Sequence, residues 1–114
     1  MNTPQVLQLS ADVCVAGQLD PAAMAWAAQA GFKSVINNRP DFEGGPEQPS
    51  SAAMQAAALA AGLRYVWLPV APSVQTEQEI ARFAELLNEL PKPVLAYCRS
   101  GARSGKLYRA ATSG

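Results

Sequence analysis

The chain has no histidine among its 114 residues. That removes the Ser–His–Asp triad, the Cys–His pair and most metal sites. Any nucleophile must be activated by something other than an imidazole. Cysteine is nearly absent too: Cys14 and Cys98 stand far apart, which makes no disulfide framework. Charge of one sign is lacking, since nine basic residues balance nine acidic ones. No global field therefore points to nucleic acid or to an acidic membrane. No apolar run approaches the roughly 20 residues of a membrane span. The start, Met1-Asn2-Thr3-Pro4, lacks the basic and apolar regions of a signal peptide. These absences together read as one domain over residues 1–114, cytoplasmic, with reduced thiols.

Two phosphate-binding signatures are also missing. Gly101 and Gly105 enclose three residues and precede Lys106-Leu107, whereas a Walker loop needs four and a hydroxyl after the lysine. No Gly-x-Gly-x-x-Gly occurs.

Alanine is plentiful and favours helices. Val6 to Leu9 and Val13 to Ala16 read as a hairpin around Ser10-Ala11-Asp12. Asp20-Pro21 supplies a helix cap and first residue, and Gly31 a stop near Ala30. Ser34-Val35-Ile36-Asn37 is a strand, and residues 38–49 are a polar loop. Ser50 or Ser51 caps a second helix that Gly62 ends. Tyr65 to Leu68 is a strand closed by Pro69. Thr76 and Glu79 form a capping box before the stripe Ile80, Phe83, Ala84, Leu87. Pro93 to Tyr97 is nearly all apolar, so it belongs at the centre of a sheet. Gly105 to Ala111 is the last helix, before a soft polar end at Thr112-Ser113-Gly114. Trp26 and Trp67 read as core. Alternating helices and strands predict an α/β domain with a mostly parallel sheet of about five strands, flanked by helices.

Ligands in such sheets sit beyond the carboxyl ends of the strands. Cys98 is at that address, heading Cys98-Arg99-Ser100-Gly101-Ala102-Arg103-Ser104. A strand that turns sharply into a helix aims several backbone N–H groups at one spot, which makes an anion site. A thiol there ionises below the model value of about 8.5. Cys98 is the nucleophile and Arg103 an anion-holding fork. Gly101 permits the turn, with Ala102 beside it, and Ser100 and Ser104 supply hydroxyls. Arg99 adds positive field or points into solvent. Cys14, in an apolar run, reads as buried and inert.

Gly17-Gln18-Leu19, the run Ser34 through Asp41, Tyr65 through Val70, and Ala96 through Ser104 resemble the bacterial domain of unknown function 442. That family is described as phosphatase-like in fold, is often labelled a sulfur transferase, and occurs fused to metallo-β-lactamase-like hydrolases. The resemblance covers nearly the whole chain and implies a dual-specificity-phosphatase-like fold. It leaves two chemistries open. One is phosphate monoester hydrolysis through a phosphocysteine. The other is rhodanese-like sulfur transfer through a persulfide on Cys98, from a small anionic sulfur donor to a thiol acceptor. A non-catalytic anion-binding or redox-sensing module is a third reading. None implies a metal or an organic cofactor.

Three departures from the phosphatase pattern favour sulfur transfer. Arg103 is fifth after Cys98 rather than sixth. Tyr97 replaces the usual histidine. The loop Ala71-Pro72-Ser73 carries no carboxylate to serve as acid. Asp41 could restore the acid, or simply form a turn after Pro40. Asn38 and Arg39 border the same loop as candidate pocket-rim residues, while Glu43 and Glu47 read as solvated.

Overall fold

The computed structural model describes residues 4–113. Nine elements follow one another: β1 (Val6–Gln8), β2 (Val13–Ala16), α1 (Ala22–Gln29), β3 (Ser34–Asn37), α2 (Ser51–Ala60), β4 (Arg64–Trp67), α3 (Glu77–Glu89), β5 (Val94–Tyr97) and α4 (Ala102–Thr112). The strand order is β1-β2-β5-β3-β4. β1 lies antiparallel on β2, and the other three pairings are parallel. This is the expected five-stranded, mostly parallel sheet, with β5 at its centre.

Local chemistry explains the boundaries. The Asp20 side chain accepts the Ala23 N–H at 2.9 Å, so it caps α1 although the regular helix starts two residues on. Ser50 caps α2 by accepting the Ala53 N–H. Thr76 and Glu79 close a full capping box on α3. Gly31 and Gly62 take positive φ just past α1 and α2, as helix stops do.

Strand alternation divides the core. On β5, Leu95 and Tyr97 pack with Met24, Val35 and Met54 under α1 and α2. Val94 and Ala96 pack with Val15, Ile36, Phe83 and Leu107 under α3 and α4. Burying each large side chain of this kind stabilises the fold by roughly 1.5–3 kcal/mol. All four residues of β5 are buried, because helices cover both of its faces. No helix among the described residues is long and apolar enough to cross a membrane.

Two expectations are corrected here. Trp67 is not core: it is 42% exposed, the last residue of the edge strand β4, with its indole N–H on the Arg39 carbonyl. The last helix starts three residues before Gly105. Ala102, Arg103 and Ser104 are its first turn rather than loop, because Gly101 at φ 93° already makes the turn.

Tyr97 carries an unusual polar atom. Its ring is fully buried, and its hydroxyl has no hydrogen-bond partner among the described residues. The neighbouring Tyr65 hydroxyl is engaged by the Asn37 amide at 3.0 Å and by the Ser51 hydroxyl at 2.8 Å. Burial, then Tyr65 and Asp41, hold the Tyr97 phenol far above its ordinary pKa, so it stays neutral. A buried hydroxyl without a partner costs about 1–3 kcal/mol. Tyr97→Phe is therefore expected to leave stability unchanged or raise it by about 1 kcal/mol, read as the shift in urea midpoint. A loss of more than that would mean that the hydroxyl is bonded in solution.

Candidate active site

The cysteine loop is locked from behind by backbone contacts. Cys98 N–H reaches the Ala16 carbonyl at 3.2 Å, and Gln18 N–H the Arg99 carbonyl at 3.1 Å. A Cβ on Gly17 would stand 3.1 Å from the Arg99 oxygen, and one on Gly101 3.4 Å from Ala16. Two glycines thus let two chain segments touch. The purpose of Gly17 was not readable from its own neighbourhood.

Cys98 is 1% exposed. Its sulfur receives the Gly101 N–H at 3.1 Å, at the N-terminus of α4. Burial pushes the thiol up, while the backbone N–H groups of Ser104, Ser100 and Gly101 and the Ser104 hydroxyl pull it down. The pull wins, and the pKa falls below the ordinary thiol value. Cys14 differs: burial alone raises it. Alkylation by iodoacetamide followed against pH should therefore show Cys98 reacting at lower pH than a model thiol, and Cys14 only at higher pH. Coincident profiles would sink that ordering.

A disulfide between the two cysteines has no geometry. Cys14 is level with Leu95 in the β2–β5 register, three residues from Cys98. At about 3.3 Å per residue that offset is about 10 Å, beyond the roughly 7 Å a disulfide spans between Cα atoms.

Ser104 and Asn38 brace the loop from inside the fold. Both are fully buried. The Asn38 amide N–H donates to the Leu68 carbonyl, which turns its oxygen toward the Ser104 hydroxyl at 2.8 Å. A hydroxyl has one proton, so Ser104 serves the sulfur only by releasing Asn38. Asn38 is buried because sheet bonding continues past β3: its N–H meets the Tyr97 carbonyl, and its own carbonyl meets the Val70 N–H.

The largest correction concerns Glu43, which is not solvated. Its carboxylate takes both terminal nitrogens of Arg103, at 2.9 and 3.1 Å, and the Nε of Arg39 at 2.8 Å. Arg103 also donates to the Val70 carbonyl at 3.1 Å. Arg39 donates to the Gln18 side chain at 3.0 Å and is largely buried, as the second arm of this clamp. Burial pushes Glu43 up, but the two guanidinium groups, Arg103 first, hold it below the usual carboxylate range. Phe42, in the left-handed region at φ 65°, begins the turn that sends Glu43 inward. Gln48 braces this loop through the Gly44 N–H and the Pro40 carbonyl.

The remaining expected residues divide. The Ser100 hydroxyl accepts the Ala102 N–H at 3.3 Å, inside the loop. Arg99 and Ala102 are exposed. One carboxylate oxygen of Asp41 accepts the Ser51 N–H at 2.8 Å, at the start of α2. Its other oxygen has no protein partner among the described residues. The site therefore unites Cys98, Arg103, Ser104 and the loop N–H groups with Glu43 and Arg39.

Residues 5–114 match the family model described as the phosphatase-like domain of beta-lactamase hydrolase-like protein. The beta-lactamase hydrolase-like protein of Agrobacterium fabrum is 36% identical over 104 residues, which is 91% of this chain and 24% of that protein. The chain thus spans about a quarter of the length of the curated relatives it matches. The crystal structure of a candidate phosphatase from Neisseria meningitidis superposes with a TM-score of 0.82 at 33% identity, over 90% of this chain and 72% of that one. A Shewanella putrefaciens protein of the domain of unknown function 442 shares the fold alone, with a TM-score of 0.79 at 20% identity over 93% and 66% of the two chains. With its cysteine loop, its sheet order and these matches, the chain belongs to the family of phosphatase-like domains of beta-lactamase hydrolase-like proteins.

Proposed function

We propose that this domain hydrolyses phosphate monoesters through Cys98. One observation carries the reading: a buried sulfur with a lowered pKa is held by loop N–H groups at the N-terminus of α4. Such a ring of donors stabilises both a thiolate and an anion bound before it. The family match supports phosphate as that anion.

The thiolate attacks phosphorus. A sulfur–phosphorus bond forms, the ester phosphorus–oxygen bond breaks, and the departing oxygen takes a proton. The proposed donor is Asp41, through its unpartnered oxygen; Glu43 is held ionised and is a poor acid. Water then attacks the phosphocysteine, phosphate leaves, and the thiolate returns, with the water proton passing to Asp41. Arg103 holds the phosphoryl oxygens through its Nε–H, which no described residue occupies, while Glu43 keeps the guanidinium in place.

Sulfur transfer is the second reading, favoured by the four residues between Cys98 and Arg103, which make a smaller ring. There the thiolate attacks the outer sulfur of thiosulfate, a sulfur–sulfur bond forms as sulfite leaves, and an acceptor thiolate removes the sulfur.

The deciding experiment pairs p-nitrophenyl phosphate turnover with intact mass after thiosulfate treatment of the reduced protein. Cys98-dependent phosphate release without a sulfur adduct is expected. A sulfur atom on Cys98 that moves to a thiol, without phosphate release, overturns it. Asp41→Asn should lower turnover about 100-fold. Unchanged turnover would clear Asp41 of the role.

A further inference from the structure

One cavity among the described residues, about 630 Å³, is lined by neither Cys98 nor Arg103 nor Ser104. It lies between the β1–β2 hairpin and α4. Its walls are Val6, Leu7, Val15 and Leu19 on one side and Gly105 and Arg109 on the other, over a floor formed by residues 100–102. Helices α3 and α4 cover the inner strands of this face, and β1 remains an edge strand with Val6 39% and Leu7 63% exposed. A groove of this volume is in the range of small-ligand sites.

One charged side chain enters the lining. A Cβ on Gly105 would stand 3.5 Å from a terminal nitrogen of Arg109, so the guanidinium lies across the glycine one turn back. Among the described residues Arg109 makes no ion pair. From Leu90 to Gly114 the sequence has no Asp or Glu and five Lys or Arg, so nothing on α4 neutralises it. The groove therefore offers apolar side chains beside the polar Gln5, Gln18 and Ser100, with one free cation at its α4 side.

We propose that this groove binds an amphiphile with an apolar body and a single anionic head, the body on Val6, Leu7 and Val15 and the head on Arg109. Because Ser100, Gly101 and Ala102 form the floor, the occupant touches the loop that holds the catalytic sulfur without occupying the site before it. This site is independent of the reaction proposed above.

Calorimetric titration with decanoate and with decanol, both below their aggregation limits, tests it. Decanoate should bind about five-fold more tightly, the worth of a partly exposed ion pair near 1 kcal/mol. Arg109→Gln should equalise the two ligands by weakening decanoate alone. Leu7→Glu should weaken both, and Cys98→Ser should change neither. Absence of binding by either ligand overturns the proposal. So does a decanoate preference that survives Arg109→Gln, or decanoate binding that tungstate displaces, which would put the carboxylate in the cysteine loop.

Discussion

Cys98→Ser is expected to lower turnover by three orders of magnitude or more while the domain keeps its fold and its anion affinity. The sulfur is the group that the loop N–H donors stabilise as an anion, and a serine hydroxyl does not ionise near neutral pH. Removing the nucleophile of an enzyme that forms a covalent intermediate removes the pathway, not a fraction of it. The backbone donors around the sulfur survive the exchange. Tungstate or phosphate affinity should therefore stay within a few-fold of wild type, and the variant should trap substrate. Turnover within ten-fold of wild type would make Cys98 a spectator. Loss of anion binding together with turnover would mean that the loop had collapsed, which the urea midpoint reports separately.

Glu43→Gln should have the second-largest effect. Among the described residues Glu43 is the one acidic partner of two largely buried arginines, and Arg103 has its two terminal nitrogens on it. Glutamine offers a single neutral acceptor and leaves a guanidinium without compensation. A stability loss of about 2 kcal/mol is expected at neutral pH. Catalytic efficiency should fall about 10- to 100-fold, because Arg103 no longer meets the transition state in a fixed orientation. The sign of the pH dependence follows from the lowered pKa of Glu43. The clamp stabilises the fold fully above the unfolded carboxylate value of about 4.3 and fades as pH falls through the lower folded value. Urea midpoints of wild type and variant should converge in acid. A constant gap would place the cost in packing rather than charge. Higher turnover in the variant would show Glu43 competing with substrate for Arg103 instead of positioning it.

What the sequence made legible was local. The bounds of β3, the capping box at Thr76, the central position of β5 and the cysteine loop each depend on residues within a few positions of one another. Glu43 escaped because its partner is 60 residues away, and a Glu between Phe and two glycines reads as a solvated loop residue. The Arg39–Glu43 spacing was a usable signal, but nothing nearby said that the loop folds inward. Asn38 escaped for a related reason: its neighbours suggest a pocket rim, whereas sheet bonds to residues 68, 70 and 97 bury it. The start of α4 was misread because Arg103-Ser104 is polar enough to pass for loop, although Gly101 alone completes the turn. Trp67 reads as core because it sits in a strand, but that strand is the sheet edge and Trp67 ends it.

The parallel arrangement also governs how the domain forms. Residues 16–18, 37–43, 68–70 and 98–104 meet only after four strands that are distant along the chain have paired. Such non-local contacts raise the contact order and slow folding, because loop closure must precede the contacts that reward it. The helices can gather early from local interactions, but the ring of donors around the sulfur is complete only when β2 and β3 have both docked on β5. The environment of the Cys98 sulfur is thus a late product of assembly, and regained thiolate reactivity should lag behind regained helical signal during refolding.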